Sequence, residues 1–323
     1  MKRREFIKLL GGAAVAWPLA ARAQQAGMPV IGFLDGQSFD PPLVMAFRQA
    51  LKDAGYIDGV NVEIYYRSAD GQVDRLLTLA GDMVGRRVAV IVTTGGAAAA
   101  LAAYAATTTI PIVFASGADP IASGLVSSLN RPGSNATGVY IFQLVLVGKR
   151  LGLLHGLVPP AVLIAVLLNP TNANFQAQLR GVQEAARASG QQVNILSAST
   201  EREIDTALEA ESRIGGLLVG SDPFLSSRAD QVVSLAARRA IPAIYEGREF
   251  VMAGGLASYG TSLADAYRQV AIYTARILKG AKPADLPIAQ PTKFEFVINL
   301  KTAKALNLDV PPGLVASANE IIE

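Results

Sequence analysis

Cysteine is absent from the chain of 323 residues, histidine and tryptophan occur once each, and only 17% of positions are charged. Without thiols there can be no disulfides, thiolate nucleophiles, thiolate metal sites or lipid-anchored cysteine. The lone histidine, His155, lies in Leu151-Gly-Leu-Leu-His-Gly-Leu-Val158 and reads as structural. A Ser-His-Asp triad would have to run through it, yet no G-x-S-x-G elbow occurs. P-loop and dinucleotide glycine fingerprints are missing as well. Gly148-Lys149-Arg150 lacks the upstream glycine of a phosphate loop and reads as a surface turn of a helix. After the first residues there is no apolar run long enough for a membrane helix.

The amino terminus carries most of the basic excess. Residues 1–23 hold Lys2, Arg3, Arg4, Lys8 and Arg22 against Glu5, so their removal takes the formal charge from +3 to −1. A basic start, an uncharged run from Leu9 to Ala21 and Ala21-Arg-Ala23 have the form of a cleavable signal peptide. Arg3-Arg4-x-Phe-Ile-Lys8 looks like a twin-arginine export signal, the alternative being a Sec-type signal. The remaining chain is expected to be periplasmic, and without a clustered basic face it has no electrostatic case for a nucleic-acid partner.

With 51% hydrophobic residues, the chain is long enough for two full cores. Val88-Ala-Val-Ile-Val92, an Ala-rich segment from Ala97 to Ala106 and Ile110-Pro-Ile-Val-Phe114 form a βαβ pattern of a buried parallel sheet. Both strands run into small polar residues, Thr93 to Gly96 and Ser116 to Asp119. Strands are also expected at Val30 to Leu34, Val60 to Tyr66, Val162 to Leu168, Val193 to Leu196, Gly216 to Val219 and Phe294 to Asn299, with helices between them. The order strand, polar loop, helix, strand, helix, strand, polar loop occurs twice. It predicts an α/β chain of two doubly wound parallel-sheet lobes in a clamshell, with one large sheet as the alternative.

Residues 24–139 and 254–283 are expected in lobe 1, and 140–253 and 284–323 in lobe 2. Crossings are expected near Val139 to Gln143, Phe250 to Gly254 and Lys282 to Pro291, where Gly and Pro suit hinges. Asn135-Ala-Thr137 reads as a loop. Ligands of open α/β sheets bind beyond the carboxyl ends of the strands, so the candidate set comes from those loops. It comprises Ser38, Phe39, Thr94, Gly95, Gly96, Ser116, Asp119, Thr137, Asn172, Asp222, Phe224, Tyr245 and Glu246. Such hydroxyls, amides, rings and carboxylates bind small molecules but lack a paired acid and base, and no catalytic residue, metal or cofactor is expected.

Longer motifs carry a family resemblance. They are Thr107-Thr-Thr-Ile-Pro-Ile-Val-Phe114, Gly124-Leu-Val-Ser-Ser-Leu-Asn-Arg-Pro-Gly133, Asn135-Ala-Thr-Gly138, Gly254-Gly-Leu-Ala-Ser-Tyr-Gly260, Lys282-Pro-Ala-Asp-Leu-Pro287 and Pro291-Thr-Lys-Phe-Glu-Phe-Val-Ile-Asn-Leu300. From Val30 to Glu323 the chain resembles the tryptophan/tyrosine-type substrate-binding proteins of ABC transporters. That resemblance implies the type I periplasmic binding protein fold, a monomer, an aromatic or branched amino acid as ligand, and an ABC permease as partner. It also implies an acid for the ligand ammonium: Glu246 by position, with Asp222 as competitor, unless Glu246 is a solvated loop residue paired with Arg248. The hydroxyls and N-H groups of Thr94, Gly95, Gly96 and Ser116 suit the ligand carboxylate. A sensory receptor domain and a cell-envelope hydrolase are the other functional readings.

Overall fold

The computed structural model describes residues 27–141, 146–158, 163–210 and 214–323. The expected leader, and residues 142–143 of the first expected crossing, lie outside the described residues. The first lobe runs β1 (Val30–Asp35), α1 (Pro41–Asp53), β2 (Glu63–Ser68), a 3-10 turn leading into α2 (Leu76–Gly85), β3 (Val90–Thr94), α3 (Ala97–Ala106), β4 (Ile112–Ser116) and β5 (Ala136–Tyr140). Its sheet is parallel throughout, in the order β2-β1-β3-β4-β5. The run of apolar residues in β1 follows from burial on both faces: Ile31 and Phe33 enter one core, Leu34 the other.

The second lobe runs α4 (Val147–Leu157), β6 (Ile164–Leu168), α5 (Phe175–Ser189), β7 (Val193–Ser197), α6 (Glu201–Ala210), β8 (Gly216–Val219), α7 (Pro223–Ser227), α8 (Ala229–Arg238), β9 (Ala243–Tyr245), α9 (Arg248–Met252) and β10 (Ala257–Thr261). There follow α10 (Leu263–Leu278), β11 (Phe294–Asn299), α11 (Leu300–Ala305), α12 (Pro312–Ser317) and β12 (Glu320–Ile322). The sheet order is β12-β11-β10-β9-β8-β6-β7, with β11 antiparallel to β10. Within it, β7-β6-β8-β9-β10 repeats the order of the first lobe. Strand order therefore reverses at two equivalent places, between β1 and β3 and between β6 and β8, where doubly wound sheets open a crevice.

The structure corrects several expected boundaries. Residues 254–283, expected together in lobe 1, are divided, because β10 pairs with β9 and β11 of the second sheet. Helix α10 returns to the first lobe, burying Ala266, Tyr267, Val270 and Ala271 against Phe47, Ala50 and Leu51 of α1. Each large apolar side chain buried in this way contributes about 1.5–3 kcal/mol. The return crossing is thus at Ser262, downstream of Phe250 to Gly254. Residues 286–289, expected in lobe 2, stay beside β5, where Thr137 Oγ1 donates to Leu286 O and Ala289 N to Gly138 O. The last crossing follows them and is tied to Ser262, whose N donates to Lys293 O at 3.0 Å, while Lys293 Nζ reaches Asp265 Oδ1 at 2.9 Å.

Ala136 and Thr137 of Asn135-Ala-Thr137 open strand β5 instead of forming a loop. Five residues of which three are Ala, Thr and Gly show no strand periodicity, and Gly138, at φ +155°, allows a backbone approach to Phe114 that any Cβ would block.

Candidate functional site

The carboxyl ends of β1 and β3 lie side by side because Asp35 pairs with Thr94 in the parallel register. Thr94 Oγ1 donates to Asp35 Oδ2 at 2.6 Å, and Gln37 N donates to Oδ1 at 2.7 Å. Asp35 is 3% exposed, and burial pushes its carboxyl up to about 6 in spite of these donors and the Tyr267 hydroxyl. Gly95, at φ +72°, is required here, since a Cβ would collide with the Asp35 carboxylate and lie 2.6 Å from Gly36 N. Sequence reading missed Asp35. Its signal was available in the alignment of two strand ends, each closing an apolar run with a polar residue.

The second lobe presents a denser polar set at its own reversal point. Asp222 caps α7 through Leu225 N at 2.9 Å and accepts from Asn169 Nδ2 at 3.1 Å and Asn172 Nδ2 at 2.6 Å. Buried Gln178 grips Ser221, accepting from its N at 2.7 Å and donating to its O at 2.8 Å. Glu246 follows β9, with Oε1 accepting from Asp222 N at 3.1 Å and Ser226 Oγ at 2.7 Å. Burial raises its pKa and the Arg150 guanidinium pulls it back. Arg150, expected on a surface turn, is fully buried and donates to Ser221 Oγ at 2.9 Å. Burial lowers its pKa and Glu246 opposes that shift. Arg248 pairs with Glu320 at 3.1 Å, so Glu246 is not a solvated loop acid paired with Arg248.

The two sets face each other and touch. Asn174 Nδ2 donates across the cleft to Gly117 O at 3.3 Å, and Pro223 Cγ is 3.5 Å from where a Cβ of Gly96 would stand. Of the predicted residues, Thr94, Gly95, Gly96, Ser116, Asn172, Asp222 and Glu246 stand at these strand ends. Phe224, in the first turn of α7, packs partly against the second lobe's core. Ser116 Oγ already accepts from Ala118 N at 3.1 Å.

The others are engaged elsewhere. Ser38 is exposed and donates to Asp70 at 3.1 Å, in a network with Ser68 and Arg75. Phe39 packs edge-on to Phe33 and Tyr66, with centroids 6.0 and 5.6 Å away. Asp119 is exposed and caps its own turn through Ile121 N at 2.8 Å. Thr137 lies inside the sheet, bonded to Leu286 O at 2.8 Å. Tyr245 is stacked on Phe250 at 4.6 Å within the core. These five lie in sequence near strand ends, but packing and local hydrogen bonds turn their side chains to other tasks.

Comparison with known proteins fits this geometry. The sequence pattern of the ABC transporter substrate binding proteins matches residues 28–322. The chain belongs to that family. Substrate-binding proteins bind small molecules and interact with an ABC permease; they are not enzymes. A tyrosine-binding protein of Clostridioides difficile (strain R20291) is 29% identical over 263 residues, covering 81% of this chain and 75% of that protein. An ABC domain from Streptococcus pneumonia in complex with L-Trp is 25% identical with a TM-score of 0.82, covering 92% of this chain and all of that one. A substrate-binding protein with adhesive properties from Clostridium difficile, in its ligand-free open form, is 27% identical, covering 91% of this chain and 99% of that one, with a TM-score of 0.69. At nearly equal identity, the present chain follows the liganded arrangement more closely than the open one, in keeping with its touching lobes.

Proposed function

We propose that this family member is the periplasmic receptor of an ABC importer. It acts as a monomer, closing its lobes on an aromatic or branched amino acid and delivering it to a permease. The observation that carries this reading is the pair of polar strand-end sets, which meet across one cleft through Asn174 and Gly117. A ligand touching both sets favours the closed state by its differential contacts. The aromatic preference draws support from the tyrosine-binding relative and the L-Trp complex. The carboxylate is to be received by backbone N-H groups at Gly95 and Gly96, since the Thr94 hydroxyl is occupied by Asp35. Export rests on Arg3-Arg4 and the Ala-x-Ala site, read from sequence alone.

One test follows the chain in cells and in solution. Fractionation should find it in the periplasm, shortened by the leader. A ligand at about 100 times its Kd adds about 2.7 kcal/mol to the folded state, so a melting screen can rank candidate ligands. The largest upward shift is expected from L-tryptophan, L-tyrosine or a branched amino acid. A shift confined to sugars, phosphates or polyamines would sink the amino-acid reading.

A further inference from the structure

An apolar cavity lies on the second lobe, apart from the cleft. Its volume of about 350 Å³ is toward the small end of the range of about 300–1,000 Å³ for small-molecule sites. The wall comes from the end of α8, from the turns that lead into β9 and β10, and from α11. Those turns approach the strands at their amino ends, so the cavity sits at the end of the sheet away from Asp222 and Glu246. Small side chains hollow it out, Ala236 and Ala305 among them. Tyr245 is the buried polar side chain of the wall, 1% exposed. Gly255 makes room for its ring, since a Cβ there would stand 2.5 Å from Tyr245 Cε2. Burial raises the pKa of this phenol, and no hydrogen bond acts on it. A buried tyrosine hydroxyl usually finds a partner, so this one is open to a group that the chain does not supply.

Two further polar side chains line the cavity. Thr302 Oγ1 donates to Gly254 O at 2.8 Å and is spent. Lys301 is exposed and forms no salt bridge among the described residues. No aspartate or glutamate lines the cavity. What the wall offers a ligand is therefore an apolar surface, a phenol and an ammonium. An ammonium only donates and a phenol can donate, so the group that satisfies both is a carboxylate.

We propose that this cavity is a second ligand site, taking an apolar monocarboxylate whose tail lies against the alanine wall and whose carboxylate meets Lys301 and the Tyr245 hydroxyl. It gives a role to Gly254-Gly255, which the cleft leaves unused, and it does not depend on what the cleft binds.

Calorimetry on the leader-free chain tests this with octanoate and its uncharged counterpart, octan-1-ol. Wild type should bind octanoate at least about tenfold more tightly than the alcohol, because a charge-assisted hydrogen bond is stronger than a neutral one. In Lys301→Gln that ratio should fall to about threefold or less. Tyr245→Phe keeps the ring stacked on Phe250 and should weaken octanoate by about fivefold. Ala305→Leu, at an exposed helix position that accepts leucine, fills the cavity and should abolish binding of both compounds. Octanoate binding that Ala305→Leu leaves intact lies elsewhere, the cleft included, and overturns the proposal. No binding of octanoate by wild type, equal binding of acid and alcohol, or an undiminished ratio in Lys301→Gln overturns it as well. Each of these results leaves the amino-acid reading of the cleft where the melting screen puts it.

Discussion

At the strand ends of the first lobe a single acid, Asp35, is enclosed by a threonine hydroxyl, a tyrosine hydroxyl and one backbone N-H. At the matching ends of the second lobe, Asn169, Asn172, Gln178, Ser221, Asp222, Ser226 and Glu246 form one connected network, with Arg150 buried beside it. Both lobes are wound in the same order, so topology alone does not account for the contrast. The strand ends of the first lobe carry one buried acid, Asp35, held by neutral donors. The second sets opposite charges against each other in its interior. Like topology places loops together; what those loops do depends on which side chains are buried and how their charges are compensated.

The sharpest way to break this comparison is Arg150→Met. Removing one partner of a buried charge pair leaves the other uncompensated, at roughly 3–5 kcal/mol. Denaturant unfolding should show a loss of that size, partly restored by adding Glu246→Gln. A loss under about 1 kcal/mol would mean that the second lobe does not depend on charge compensation.

Asp35→Asn probes the other lobe. The folded pKa of Asp35, about 6, exceeds its ordinary value of 3.8, so the stability it contributes is fully present below pH 3.8 and is lost as pH rises through 6. Between pH 4 and 7 wild type should therefore lose up to about 3 kcal/mol relative to the Asn variant, measured by unfolding at each pH. A constant difference across that range would show that Asp35 titrates as an ordinary carboxyl.

The smallest effect belongs to the contact between the lobes. Asn174→Ala removes one long hydrogen bond to Gly117, worth about 0.5–1.5 kcal/mol and present only when the lobes touch. Ligand affinity should fall by about tenfold at most, with the unliganded melting temperature unchanged. A fall in that temperature would place the bond in the unliganded state as well.

Much of the fold was legible in the sequence because buried parallel strands are continuous apolar runs. Ile112–Ser116, Ile164–Leu168 and Gly216–Val219 stand close to where the apolar runs predicted them. Strand β5 was not legible, since Ala136-Thr-Gly-Val-Tyr140 owes its pairing to Gly138 fitting against Phe114. The site was partly legible. Thr94, Asp222 and Glu246 end or follow strands and could be read as strand-end residues, whereas Arg150, in the first turn of α4, carries no local sign of burial.

The sequence by itself determined two α/β halves with polar strand ends, a chain without thiols and with one histidine, and its membership of a ligand-binding family. Periodicity, strand length and residue chemistry are local properties, and these conclusions need nothing more. Only the tertiary structure decided that Asp35 is bonded to Thr94, that Arg150 is buried with Glu246, that Phe39 and Tyr245 belong to cores, and that the Glu249 carboxylate folds back over Gly247. Each of these depends on the register of parallel strands and on how distant helices cover them. Side chains far apart in sequence acquire their charge partners only when those layers pack.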